Sequence, residues 1–399
     1  MRLRTNKPSS RTIISIAGPL TIERLCLRAD NEESKTKMIS EIGQASIFPL
    51  DQLLGIDALP FKMTLDVMLE IAKIGVDRTS FEVAAAELSE RFCTPISKDL
   101  TRDVALKVGA IVFEEETRLA EQAKAMFEQG TLPTGPQDID DVLYISTDGA
   151  HLNTRELLDD KKSSYHENKL VMAFSGKDVI TERCSKTEVR RKIIRKHYSS
   201  LLYRKSDDFQ WYILALAIRE EYWRYKRVIV LGDGASWIET ISRTLFPGCQ
   251  RILDPCHLKE NVGKYGSVVY PKKRDEKKRQ KWVDEICNML DNGHWEEVIQ
   301  LLEPYKNKKL PKGVPNLPHY LESNRNSMDY PEYDALGYIL GSGSIESSNK
   351  SVGIVRFKQP GQRWEVEYGQ YFLCLRCKLK GNEWDTVKQL VYNYYKGKP

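Results

Sequence analysis

Between residues 139 and 257 the chain keeps returning to short apolar runs of strand length, and that rhythm restricts its fold more than any other feature. DVLYIST has the texture of a buried strand, KLVMAFS is a second, RVIVLGD a third and RILDPCH a fourth. The amphipathic segment 208–226 supplies a helix just before the third. Strands interleaved with helices imply a layered sheet covered by helices, so the expected fold class is α/β.

The flanking sequence has a different texture. Residues 1–48 contain the alternating stretch RTIISIAGPLTIERLCLRA, with Gly18-Pro19 in its middle, which reads as a hairpin. Residues 49–135 form a region of helical periodicity, kept up from roughly Leu50 to Gln129, and the Pro/Gly-rich linker TLPTGPQD at 131–138 closes it. Inside that region SFEVAAAELSERF, the turn CTPIS and KDLTRDVALKVGAIV resemble a helix-turn-helix, which would set Lys98, Arg102 and Lys107 against a DNA groove. An ordinary helical hairpin with solvated charges fits the same residues. The sheet core then occupies 136–262, a lysine-rich helical insertion without a convincing strand 263–325, and closing helices 326–399, with GQRW as a break.

Composition narrows the function classes. A chain of 399 residues with 41% hydrophobic and 29% charged residues can fill two or three cores and is not disordered. The balance of 61 basic against 56 acidic residues leaves +5, so affinity for a polyanion must come from where the charge sits. The longest apolar run, Trp211–Ile218, is core-sized and neither a signal peptide nor a membrane span is expected. Eight cysteines lack the paired spacing of a secreted disulfide framework, which points to a reducing cytosol. Cys374 and Cys377 share one helix face in YFLCLRCKL and read as a packed pair rather than half of a zinc site.

The candidate chemistry lies in three acids. Asp148 follows DVLYIST, Asp233 follows RVIVLG, and a glycine comes directly after each. Carboxylates just past strand ends sit where sheet enzymes bind ligands, and the glycines permit close approach. Glu346 follows the turn LGSGS at an expected helix start, from which its longer side chain could reach the two aspartates. Taken singly, Asp-Gly is a common turn and a glutamate near a helix start a common capping partner. Taken jointly they suggest metal-dependent phosphoryl transfer, because paired magnesium ions take oxygen ligands.

The wording around these acids resembles the ISLre-type family of bacterial insertion-sequence transposases. The likeness rests on YISTDGAHLNTRE, HENKLVMAFS, LGDGASWI, ILDPCHLKEN, DYPEYDALGYILGSGSIESSNK and RFKQPGQRWEVEYGQYFLCLR, spread over most of residues 144–377, with an echo in FPLDQLLGID. It implies a ribonuclease H-like core with a helical insertion and an Asp-Asp-Glu site on Asp148, Asp233 and Glu346. Two magnesium or manganese ions would be held there. Relatives of this broad class often carry an Asp or Cys separated by two residues from a His just after the fourth strand, here Asp254-Pro255-Cys256-His257. His257 would support the site or orient scissile DNA, or else fix the insertion as a buried histidine. Relatives often carry a zinc-finger-like cysteine segment near the amino terminus. Cys26 alone cannot make one, so recognition of terminal repeats would rest on the helical region.

The resemblance also implies the reaction. The enzyme would bind the inverted repeats at an element's ends, cut to expose a 3′ hydroxyl and direct it at target DNA, working as a dimer or larger assembly at the bacterial nucleoid. Double-stranded DNA would be held through phosphates, with Lys350, Arg356, Lys358, Arg363 and Trp364 as candidate contacts near Glu346. The same residues could be a solvated face with a core tryptophan, and the basic stretch 272–282 a solvated helix. Two rival functions share the fold: a junction-resolvase type of nuclease, and a non-catalytic DNA-binding relic.

Overall fold

The computed structural model describes residues 3–42, 45–157, 165–183, 189–202, 206–341 and 343–396. Contacts divide the chain into two compact units, one of Glu116–Val366 with Lys380–Asn382, the other of Met1–Glu115 with Glu367–Leu379 and Glu383–Pro399.

The first unit is built on a five-stranded mixed sheet. Its strands are β1 (Ile139–Asn153), β2 (Tyr165–Ser175), β3 (His197–Leu202), β4 (Tyr225–Gly232) and β5 (Gln250–Leu253), arranged in space as β3-β2-β1-β4-β5. β1, β2 and β3 form an antiparallel meander, while β4 runs parallel to β1 and β5. Parallel neighbours need crossovers, and helices Ser206–Arg219 and Ser236–Leu245 provide them. The centre of the sheet is apolar on both faces: Leu143, Ile145, Leu170, Met172, Ile229 and Leu231 are all buried. Tyr144 lies opposite Phe174 across the ladder, and their rings stack at 4.9 Å.

All four expected strands are present, with two differences. β1 does not stop at Asp148 but runs on to Asn153, because β2 keeps pairing with it, Asp148 opposite Leu170 and His151 opposite Glu167. β3 and the small hairpin Val179–Arg183 with Val189–Ile193 were not expected. Between 263 and 325 there is no strand among the described residues. Helices Pro255–Val269, Glu276–Asp291, Trp295–Leu302 and Leu317–Ser323 pass through this region, burying Val262, Ile286, Leu290, Val298 and Leu321.

The second unit opens with the hairpin Ser9–Ser15 and Gly18–Arg24, so Gly18-Pro19 begins its second strand rather than forming its turn. Leu3–Thr5, Leu27–Ala29 and Ser46–Ile47 make a three-stranded sheet, followed by helix Leu65–Asp77. The expected helix-turn-helix pair is Phe81–Arg91 and Lys98–Glu128. Ser80 caps the former by accepting from the Val83 amide at 3.1 Å. The latter has 31 residues, much longer than the segment read from sequence, and buries Val104, Val108 and Val112. Gly109 lies so close to helix Val366–Lys380 that an added Cβ would sit 2.5 Å from the Tyr371 carbonyl oxygen. This helix is thus part of a packed core. The last two helices, Val366–Lys380 and Trp384–Lys396, group with this unit from Glu367 onward instead of closing the sheet core, as their place in the chain had suggested. Cys374 and Cys377 are both buried in the first of them, as a packed pair requires.

Candidate active site

Strand register brings distant acids into one row. β1 and β4 pair Ile145 with Val230 and Ser146 with Leu231, so the next two residues on each strand carry Asp148 and Asp233 to the same level. β4 and β5 pair Gly232 with Leu253, which sets Asp254 one residue further, level with Asp233. The Asp254 amide donates to the Gly232 carbonyl at 2.9 Å. Neighbouring strands are spaced by about 4.8 Å, so three carboxyl-bearing residues occupy adjacent positions along one sheet edge.

A short helix brings the glutamate. Gly343–Asn349 carries Glu346 in its first turn and Asn349 three residues later on the same face. Asn349 Nδ2 donates to Asp148 Oδ2 at 2.7 Å, while the Gly149 amide donates to Asp148 Oδ1 at 2.8 Å. The opposite wall is helix Pro255–Val269. Asp254 caps its first turn, accepting from the amides of Cys256 and His257, and also receives His257 Nδ1 at 2.5 Å. The same Nδ1 lies 3.9 Å from Glu346 Oε1. Asp254, His257 and Glu346 each offer one ligand atom, all within 4.8 Å of one another, and so could hold a metal ion.

The electrostatics match this crowding. Burial raises the Asp148 pKa, the nearby Asp233 charge adds to the rise, and the Asn349 and Gly149 hydrogen bonds and His257 oppose it. The hydrogen bond to Asp254 pushes His257 up to about 9 against its desolvation, with the charges of Asp254, Asp233 and Asp148 adding to it. A histidine raised in the fold contributes stability below its unfolded pKa, and that contribution fades as pH rises through about 9.

Two tyrosines of the helical region hold the strand ends. Tyr320 donates to the Asp233 carbonyl at 2.6 Å, and Tyr330 donates to the Leu253 carbonyl at 3.0 Å. Burial raises the phenol pKa of both. The glycines after the aspartates serve this packing. A Cβ at Gly149 would meet the Glu167 carboxylate at 2.6 Å; at Gly234, whose φ is +81°, it would meet Leu253 at 2.7 Å and the Tyr320 hydroxyl at 2.9 Å. Both make room for protein side chains, where sequence reasoning had offered them to substrate.

A profile of the uncharacterised protein family UPF0236 matches residues 7–334, most of the chain and all three aspartates of the row. The chain belongs to UPF0236. No curated protein matches it. Among solved structures, the UPF0236 chain is similar to one described as "Drosophila P element transposase strand transfer complex", at 9% identity and a TM-score of 0.39, covering 88% of this chain and 97% of that one.

The residues expected to touch DNA separate into groups. Lys350, Lys358 and Arg363 are exposed in the sheet unit of the UPF0236 chain. Arg356 and Trp364 are not: they are 1% and 7% exposed, with the guanidinium 5.5 Å from the indole ring centre and Trp364 stacked on Phe357 at 4.7 Å. Arg356 follows the turn of π-helix at Lys350–Ile354, and the Trp364 backbone pairs with the end of β1 beside Thr154; their burial corrects the reading of both as DNA contacts. Lys98 and Arg102 are exposed in the other unit, where Arg102 is engaged by Asp99 and Asp103, each at 2.9 Å. Lys107 is half-buried and reaches the Tyr394 hydroxyl at 3.4 Å. The basic residues of 272–282 form an outward face, apart from a half-buried Arg279 bonded to the Tyr270 carbonyl. No helix among the described residues is long and apolar enough to cross a membrane. Sequence reasoning missed Asn349, Tyr320 and Tyr330. The sole signal for Asn349 was its spacing of three from Glu346.

Proposed function

We propose that this chain is an insertion-sequence transposase with a ribonuclease H-like core, in which Asp148, Asp233 and Glu346 hold two magnesium or manganese ions. The observation that carries the reading is the aspartate row at the ends of adjacent strands, with Glu346 on a separate helix beside Asp254 and His257. The meander of β1, β2 and β3 followed by parallel β4 and β5 supports the fold. The donor set suits the ions. Magnesium prefers carboxylate oxygens, and a desolvated Asp148 beside Asp233 is a like-charge cluster that a cation relieves.

Bound ions of this kind activate an attacking oxygen and stabilise the leaving one during in-line displacement at phosphorus. The remaining work falls to the chain itself. Asn349 fixes the Asp148 carboxylate, and Tyr320 holds the backbone that carries Asp233. Asp254 aligns His257, whose positive charge meets a phosphate oxygen in the same space. Hydrolysis and strand transfer are both displacements of this type, so one site serves both, and no covalent nucleophile is required.

The discriminating experiment is a joining assay. Duplex ends copied from the DNA flanking the gene are incubated with protein, magnesium and a supercoiled plasmid. Covalently joined ends in the plasmid are expected. Cleavage without joining would instead assign the nuclease class represented by junction resolvases, and neither product would leave a DNA-binding relic.

A further inference from the structure

Helix Gly343–Asn349 has a second working face. Glu346 and Asn349 look toward the acids, whereas Ser344 and Ser347, also three apart, line a separate cleft of about 560 Å³. Its far wall comes from the hairpin after β2 and the chain leading into β3, which contribute Glu182, Arg191, Lys192 and Lys196.

The charge in this cleft is unevenly compensated. Lys192 is paired with Glu182 at 3.2 Å. Arg191 gives one N–H to the neutral Tyr338 carbonyl at 3.3 Å and pairs with no carboxylate among the described residues. Lys196 is half-buried, its ammonium lies 5.9 Å from the centre of the Tyr198 ring, and burial lowers its pKa. Ser344 lines the cleft too, but its hydroxyl oxygen is buried. Two cations in a cleft beside the Glu346 helix make a receptor for anionic oxygens.

We propose that this cleft binds the phosphodiester backbone of the DNA strand that enters the acid row, with Arg191 and Lys196 as positioning residues. The proposal rests on the transposase reading. It assigns a strand path to the unexpected hairpin, on residues distinct from Lys350, Lys358 and Arg363.

The test is fluorescence anisotropy on the full chain with a labelled duplex of arbitrary sequence, across a salt series. Loss of two phosphate contacts in R191Q/K196Q should make the slope of log affinity against log salt shallower by about two and weaken binding about tenfold near ~0.1 M salt. The charge-conserving R191K/K196R should keep the parental slope. E182Q frees Lys192 and should tighten binding by roughly threefold, a gain that misfolding cannot mimic. An unchanged slope in R191Q/K196Q, with no gain in E182Q, overturns the cleft assignment while parental binding leaves the transposase reading intact. Altered slopes in a protein that neither cuts nor joins DNA would do the reverse.

Discussion

If Asp148 holds a metal ion as proposed, Asp148→Asn is expected to lower magnesium-dependent DNA cleavage by about a thousandfold or more, because it replaces a ligand oxygen without changing the shape of the side chain. DNA binding should persist. The variant should also be at least as stable as the parent in metal-free buffer at neutral pH. Burial and Asp233 raise the Asp148 pKa, so folding favours the protonated form and the ionised carboxylate costs stability at pH 7. An asparagine removes that cost and its oxygen can still accept from Asn349, although its amide nitrogen then faces the Gly149 amide and offsets part of the gain. Loss of activity with gain of stability is what a site under electrostatic strain should show. A carboxylate that merely capped a turn would give the opposite pair of results. Cleavage kinetics with thermal melts on the same preparation separate the two.

Gly234→Ala should be the most damaging small substitution near the site. The position has φ +81°, and its Cβ would come within 2.7 Å of Leu253 and 2.9 Å of the Tyr320 hydroxyl. Left-handed backbone costs an alanine roughly 1–2 kcal/mol, and overpacking roughly 1–3 kcal/mol more. A loss of about 2–5 kcal/mol in urea unfolding is therefore expected. Cleavage should fall too, since the displaced Tyr320 holds the Asp233 carbonyl. Parental stability in this variant would mean that the helical region does not clamp the strand end.

How much of this was legible in sequence depended on how local the signal was. The apolar runs of β1, β2, β4 and β5 announce themselves, because central strands covered on both faces need continuous hydrophobic residues. β3 does not, since its interior holds Ser199 and Ser200, both buried, with Ser199 bonded to Glu116 at 3.0 Å. The continuation of β1 past Asp148 was hidden by an Asp-Gly pair that looks like a turn, and pairing with β2 overrides it. Asp148 and Asp233 could be chosen from their positions after apolar runs. That Asp254 stands level with them follows from the order of β1, β4 and β5, a non-local fact. Arg356 and Trp364 misled for a related reason: RFKQPGQRW has the composition of a DNA-facing surface, but both are buried, Trp364 through a non-local bridge to Thr154. The partition of the final helices was equally invisible, because the contacts that group them with the N-terminal unit join residues hundreds apart, such as Arg376 with the Val76 carbonyl.

The position of a bound cation can be read directly from the anomalous scattering of manganese. Diffraction from crystals of the full chain soaked in manganese should place anomalous density within roughly 2–2.5 Å of carboxylate oxygens of Asp148, Asp233 and Glu346. Density confined to Asp254, His257 and Glu346, or aspartates of the row pointing away from any shared ion, would contradict the account.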